Sequence, residues 1–131
     1  MYLLDTCALS DFFAGVGMTR ERLRRVTPAE VAISAITVME IQYGFTLNAA
    51  AKRRFFKPFQ SLISTAQIMP FDVAAADAAA SIRANLKLRG TPIGSWDLLI
   101  GATAAAHDCI LVTSNTREFQ RIEGLVLEDW R

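Results

Sequence analysis

Short apolar runs alternate with longer helical patterns along the chain. Tyr2-Leu3-Leu4 is apolar and stops at Asp5, which reads as a buried strand followed by a helix from about Thr6 to Phe13. Gly15 and Gly17 break the chain, and Thr19 opens a short basic helix to about Val26. Val31-Ala32-Ile33-Ser34 is a second strand. A helix from about Thr37 is expected to stop near Gly44, and another runs from about Ala49 to Ser64 with an interruption at Pro58. Gln67-Ile68-Met69 is a third strand, and a long helix from about Val73 to Leu88 ends at Arg89-Gly90. After the loop Thr91-Pro92-Ile93-Gly94, Ser95 is expected to cap a helix to about His107. Ile110 to Thr113 is a fourth strand, Arg117 to Arg121 a short helix, and Leu125-Val126-Leu127 a fifth strand.

Apolar strands alternating with helices imply an α/β fold, a parallel sheet covered on both faces. In open parallel sheets, sites form beyond the carboxyl ends of the strands. That is where chemistry is sought. The 131 residues suit one domain, residues 1–131, and the composition, 52% hydrophobic, is enough to fill a core without staples. Cys7 and Cys109 have neither disulfide-framework nor metal-ligand spacing, which suits a reducing compartment. No signal-peptide pattern or membrane-length apolar run occurs, so a cytoplasmic protein with no membrane contact is expected.

The net charge of +1 does not by itself argue for a nucleic-acid partner. The basic residues are nevertheless grouped: Arg20, Arg22, Arg24 and Arg25; Lys52, Arg53, Arg54 and Lys57; Arg83, Lys87 and Arg89. Each group reads as a solvated helix face, and each is also where phosphate contacts would arise if RNA binds.

The acidic residues carry more. Asp5 stands where the first strand runs out and is a favoured helix N-cap. Glu40 follows Thr37 at capping-box spacing, just past the second strand. Asn115 and Glu118 repeat that spacing after the fourth strand. Asp97 is the one charge in an otherwise apolar helix, where a dipole gain of about 0.3–1 kcal/mol hardly justifies a carboxylate. Capping accounts for these residues singly, but not for why Asp5, Glu40 and Asn115 all lie beyond strand ends. Carboxylates gathered at one sheet edge repel by about 4 kcal/mol per pair at roughly 4 Å, against a total stability of roughly 5–15 kcal/mol. Proton uptake or a cation relieves that. Oxygen ligands without histidine suit a hard ion, Mg²⁺ or Mn²⁺.

Leu3-Leu4-Asp5-Thr6-Cys7-Ala8-Leu9-Ser10 resembles the opening of PIN domains. The segments Ile33–Gly44, Ile93–Ala102 and Leu111–Phe119 resemble their second, third and fourth motifs, and Glu128-Asp129-Trp130 a common ending. The whole chain is most similar to the VapC-type toxins of type II toxin–antitoxin systems. The resemblance implies a Rossmann-like sheet of order 3-2-1-4-5 and Mg²⁺- or Mn²⁺-dependent endoribonuclease activity on RNA. It implies a cognate antitoxin protein, a toxin homodimer and a higher toxin–antitoxin assembly. It makes Asp5, Glu40 and Asp97 metal-site residues and Asn115 a catalytic one, with Thr6 and Thr113 around them. Many family members carry Asp where this chain has Asn115, which leaves one metal ion or two open. Glu118 is the residue that would replace the missing charge.

Other residues have simpler readings. His107 is a favoured helix C-terminal residue rather than a catalyst. Cys7 reads as a small core residue, with a helix-start position that would lower its pKa as the rival reading. Phe55, Phe56 and Phe59 read as packing or as one wall of a partner groove, and no run of aromatics forms a stacking platform. Two other functions fit in outline. One is a phospho-accepting receiver domain, but Asp5 is followed by Thr6 and no Lys follows Leu127. The other is a PIN-fold RNA-processing nuclease or a non-toxic binding module for RNA or protein.

Overall fold

Five short strands pair in parallel in the order β3-β2-β1-β4-β5 in the computed structural model, which describes residues 1–131. They are β1 (Tyr2–Leu4), β2 (Val31–Ser34), β3 (Gln67–Met69), β4 (Ile110–Val112) and β5 (Leu127–Glu128). The helices are α1 (Thr6–Ala14), α2 (Thr19–Arg25), α3 (Ala35–Leu47), α4 (Ala49–Thr65), α5 (Val73–Leu88), α6 (Ser95–Ala106) and α7 (Thr116–Phe119), with a 3-10 turn at Pro28–Glu30. The expected order 3-2-1-4-5 is the observed one. A receiver domain has the order 2-1-3-4-5 and is thereby excluded.

Successive side chains of each strand point to opposite faces, and each face has its own core. Leu4, Ile33 and Val112 pack with Leu9, Phe13, Phe45, Phe59 and Trp130 on one face. Leu3, Ala32 and Leu111 pack with Leu86, Ile100 and Phe119 on the other. The small residues of α5 and α6 let these two helices pack closely. On another side of α6, Gly101 makes room for α7 and the segment after it: a Cβ there would lie 2.6 Å from Ile122 Cδ1.

Several boundaries differ from the expected ones. Helix α3 begins at Ala35, because Ser34 accepts the Thr37 N–H at 3.0 Å and is the cap. It continues through Gly44 to Leu47 because Phe45 buries its ring against Phe56 and Phe59, which outweighs roughly 1 kcal/mol for a mid-helix glycine. Helix α4 runs unbroken through Pro58, capped by Asn48 at 3.0 Å from Ala51 N. Helix α6 is preceded by Gly94 as N-cap, and Ser95 is its first residue rather than its cap. Strand β5 is Leu127–Glu128, not Leu125–Leu127, and Val126 is exposed. No helix is long and apolar enough to cross a membrane.

Register places the site. Leu4 aligns with both Ile33 and Val112, so Asp5, Ser34 and Thr113 come level at the carboxyl edge. Two backbone bonds continue the ladder there, Asp5 N to Val112 O at 3.1 Å and Thr113 N to Glu128 O at 3.0 Å.

Phe59 is fully buried, with ring centroids 5.7 Å from Phe45 and 6.3 Å from Phe13. Phe59→Ala is expected to lower unfolding free energy by about 3–5 kcal/mol, measured from the urea midpoint. Phe55→Ala, at the half-buried rim, should cost distinctly less.

Candidate active site

Asp5 is 1% exposed and does two things at once. Its Oδ1 accepts the Ala8 N–H at 2.8 Å and so caps α1, while its position past β1 turns the carboxylate toward the sheet edge. Burial pushes the carboxyl up to about 6. Hydrogen bonds from Thr113 and Ala8 pull against that, and the charges of Asp97 and Asp11 add to it. The capping and functional readings of Asp5 are therefore not alternatives.

Glu40 is not a capping-box residue, because Ser34 caps α3 and leaves Glu40 in the helix's second turn. Its Oε1 accepts the Thr6 hydroxyl at 2.6 Å, tying the start of α1 to α3. No protein hydrogen bond engages its other oxygen. Asp97 lies in the first turn of α6 and is also pushed up to about 6. Burial is the main cause, followed by the charges of Glu118 and Glu40, while the Asn115 amide offsets part of it. Asp97 thus feels Asp5, Glu40 and Glu118, three carboxylates from three other segments.

Asn115 does not use its side chain as a cap. Its Nδ2 donates to Glu118 Oε2 at 2.9 Å and to Asp97 Oδ2 at 3.3 Å, and its backbone N–H donates to Thr113 Oγ1 at 2.9 Å. Glu118 Oε1 accepts the Gly94 N–H at 2.6 Å, so this side chain joins α7 to the start of α6. Those hydrogen bonds, first Asn115 and then Gly94, hold the Glu118 carboxyl below its ordinary value.

None of Asp5, Glu40, Asp97 and Glu118 takes part in an ion pair; the four ion pairs in the protein lie elsewhere. The carboxylates approach through Asp97, pair by pair, and no three Asp, Glu, His or Cys side chains close around a common point as they stand. The donor set still fits a hard divalent ion. It is all oxygen, none of it is in an ion pair, and burial pushes the Asp5 and Asp97 carboxyls up to about 6.

His107 is remote from this group. It ends α6, a helix of 12 residues or roughly 18 Å, at the end opposite Asp97, and its Nε2 is 3.5 Å from Asp72 Oδ2. Cys7 contradicts both readings of it: the residue is exposed, not core, and its thiol is raised to about 11, not lowered. Partial desolvation of the sulfur comes first among the causes, then the charges of Asp5, Asp97 and Asp11. Two residues escaped the sequence reading. Ser34, 1% exposed, sets where α3 starts and hence where Glu40 falls, and Gly94 offers Glu118 its N–H. A serine at a strand's last position is a recognisable cap. Nothing in the sequence pairs Gly94 with Glu118, 24 residues away.

The PIN domain family model matches residues 2–125. The tRNA(fMet)-specific endonuclease VapC of Salmonella typhimurium is 38% identical over 111 residues, covering 85% of this chain and 83% of the relative. Among solved structures, DNA-bound VapBC from Salmonella typhimurium superposes with a TM-score of 0.90 at 34% identity, covering 99% of this chain and 98% of that one. FitAcB from Neisseria gonorrhoeae gives 0.86 at 30% identity, covering 98% and 97%.

Between about pH 4 and 6 the folded protein keeps a proton on Asp5 that the unfolded chain has released, so stability falls as pH rises through that window. The gap from 3.8 to about 6 is worth roughly 3 kcal/mol. Asn retains the cap and lacks the charge. In chelator, Asp5→Asn is therefore expected to be at least as stable as wild type at pH 7 and to flatten this fall, measured by urea unfolding from pH 4 to 7.5. A clear loss of stability at pH 7 would show that the cap requires the carboxylate. Glu118, with its lowered value, contributes in the opposite sense in both proteins and drops out of the difference.

Proposed function

Because this chain belongs to the PIN-domain family, and within it to the VapC-type endoribonuclease toxins of toxin–antitoxin pairs, we propose that Asp5, Glu40, Asp97 and Asn115 are the residues that cleave its RNA. The observation that carries this assignment is the convergence of Asp5, Glu40 and Glu118 on Asp97, none of the four held in an ion pair. Asp5 and Asp97 would hold Mg²⁺ or Mn²⁺, with Glu40 completing the set through a water that it positions. When bound, such an ion eases deprotonation of water and neutralises charge on the phosphoryl oxygens.

The chain's own residues supply the rest. Glu40, braced by Thr6, orients the attacking water through its unengaged oxygen. Thr113, hydrogen-bonded to Asp5 and to the Asn115 backbone, keeps that carboxylate aimed at the edge. Asn115 steadies Asp97. Water attacks phosphorus and releases one proton to solvent, one P–O ester bond breaks, and the departing ribose oxygen takes a proton from solvent. Glu118 restores the negative charge that Asn115 lacks beside Asp97, but both its oxygens are occupied by Gly94 and Asn115. That favours a bracing role over direct ligation.

Transfer RNA is the substrate class we propose, with tRNA(fMet) first to be tested, on the strength of the Salmonella relative. A cognate antitoxin and a homodimer are proposed as partners. The similarity to VapBC and FitAcB structures supports the antitoxin. Residues 1–131 are read as one PIN domain, supported by a single sheet with a core on each face.

Purified protein incubated with tRNA(fMet) and Mg²⁺ or Mn²⁺ is expected to give discrete cuts, abolished by chelator and reduced more than 100-fold by Asp97→Ala. Expression without an antitoxin should arrest growth, and Asp97→Ala should relieve the arrest. Harmless expression of a protein that still cuts RNA would favour an RNA-processing role. Cleavage surviving Asp97→Ala would end the site assignment.

A further inference from the structure

We propose that Trp96 is a base-stacking residue, holding one base of the RNA flat against its indole next to the phosphate that is cut. This rests on the nuclease reading of Asp97. Of the two tryptophans, Trp130 is 3% exposed and belongs to the core, while Trp96 is 51% exposed. Helix α6 does not need it for packing, since Ile100, Gly101, Ala102, Thr103 and Ala104 supply the buried stretch. An indole left half in water, one residue from the carboxylate at the centre of the site, is an exposed aromatic surface beside the chemistry. Every base has a face that can stack on such a ring, and loss of one stack costs on the order of ten-fold in binding or more.

The surroundings combine cations with apolar surface, as a nucleotide's phosphate and base require. A groove of about 570 Å³ runs between α5 and the start of α6, with Arg83 and Lys87 over an apolar lining of Leu86, Ile93, Leu98 and Leu99, and it reaches Ser95, the residue preceding Trp96. Arg83 and Lys87 lie four residues apart on α5, so they share one face, and both are exposed. Both lack ion pairs, and neither side chain makes a hydrogen bond, so their charge is available to phosphate. Each residue of α6 turns the surface by about 100°, from Ser95 on the groove to Trp96 and then to Asp97, so a strand crossing here would present a flanking phosphate, a base and the phosphate to be cut in that order. Tyr43, exposed on α3 near Glu40, has no such pair of unengaged cations on its own helix.

Two measurements test this on the full chain with tRNA(fMet). In cleavage kinetics, Trp96→Ala is expected to raise KM roughly ten-fold or more. It should leave kcat within about three-fold, and Trp96→Phe should keep most of the affinity. In chelator, adding the RNA is expected to quench tryptophan emission in wild type but not in Trp96→Phe, where only buried Trp130 remains. A KM unchanged in Trp96→Ala, or quenching that persists in Trp96→Phe, would overturn the proposal. So would a sedimentation profile in which Trp96→Ala dissociates a dimer in step with the rise in KM, since the indole would then be covering a second copy. If wild type cuts no RNA with either metal, the nuclease reading fails instead, and the fluorescence titration still decides whether Trp96 meets a base.

Discussion

The parallel register of β1 between β2 and β4 is the constraint on which the rest depends. With Leu4 level with Ile33 and Val112, the next residues of three strands arrive together: Asp5, Ser34 and Thr113. Each is nearly inaccessible, and each directs something at that edge. Asp5 brings a carboxylate and starts α1, Ser34 starts α3 and thereby positions Glu40, and Thr113 braces Asp5 and receives Asn115. A slip of one residue would reverse the faces of every strand side chain and dismantle both cores with the site. Core packing and site geometry are thus enforced by the same hydrogen-bond ladder.

What the ladder assembles is electrostatically unfavourable. Desolvation and like charge act on Asp5 and Asp97 together, and no arginine or lysine is paired with either. Packing elsewhere absorbs this cost. The aromatic group of Phe13, Phe45 and Phe59 fills one face, and the close approach of α5 and α6 fills the other. Sites that work by charge are commonly held in this way, strained locally and stabilised at a distance.

Most of the fold was readable from hydrophobic period. β2, β3 and α5 lie at the expected residues because each is flanked by clear stop signals. The misreadings at Gly44 and Pro58 share a cause: long-range packing overrode a local cue. Gly44 reads as a stop until Phe45 is known to bury its ring, and Pro58 reads as a break until Phe59 is known to anchor the helix. For the site, the residues could be chosen from sequence but their partners could not. Thr37 with Glu40, and Asn115 with Glu118, have capping-box spacing. In the fold, Glu40 answers to Thr6, and Glu118, besides its local partner Asn115, answers to Gly94, separations of 34 and 24 residues that no local pattern encodes.

The double duty of Asp5 has an evolutionary side. A lineage that abandons catalysis while retaining the scaffold needs something at position 5 that still closes the first turn of α1. Asn meets that need with a single altered functional group, whereas Ala or Leu would leave the Ala8 N–H unanswered in a nearly dry setting. Inactive descendants of this scaffold should therefore carry the amide at that position far more often than an apolar side chain.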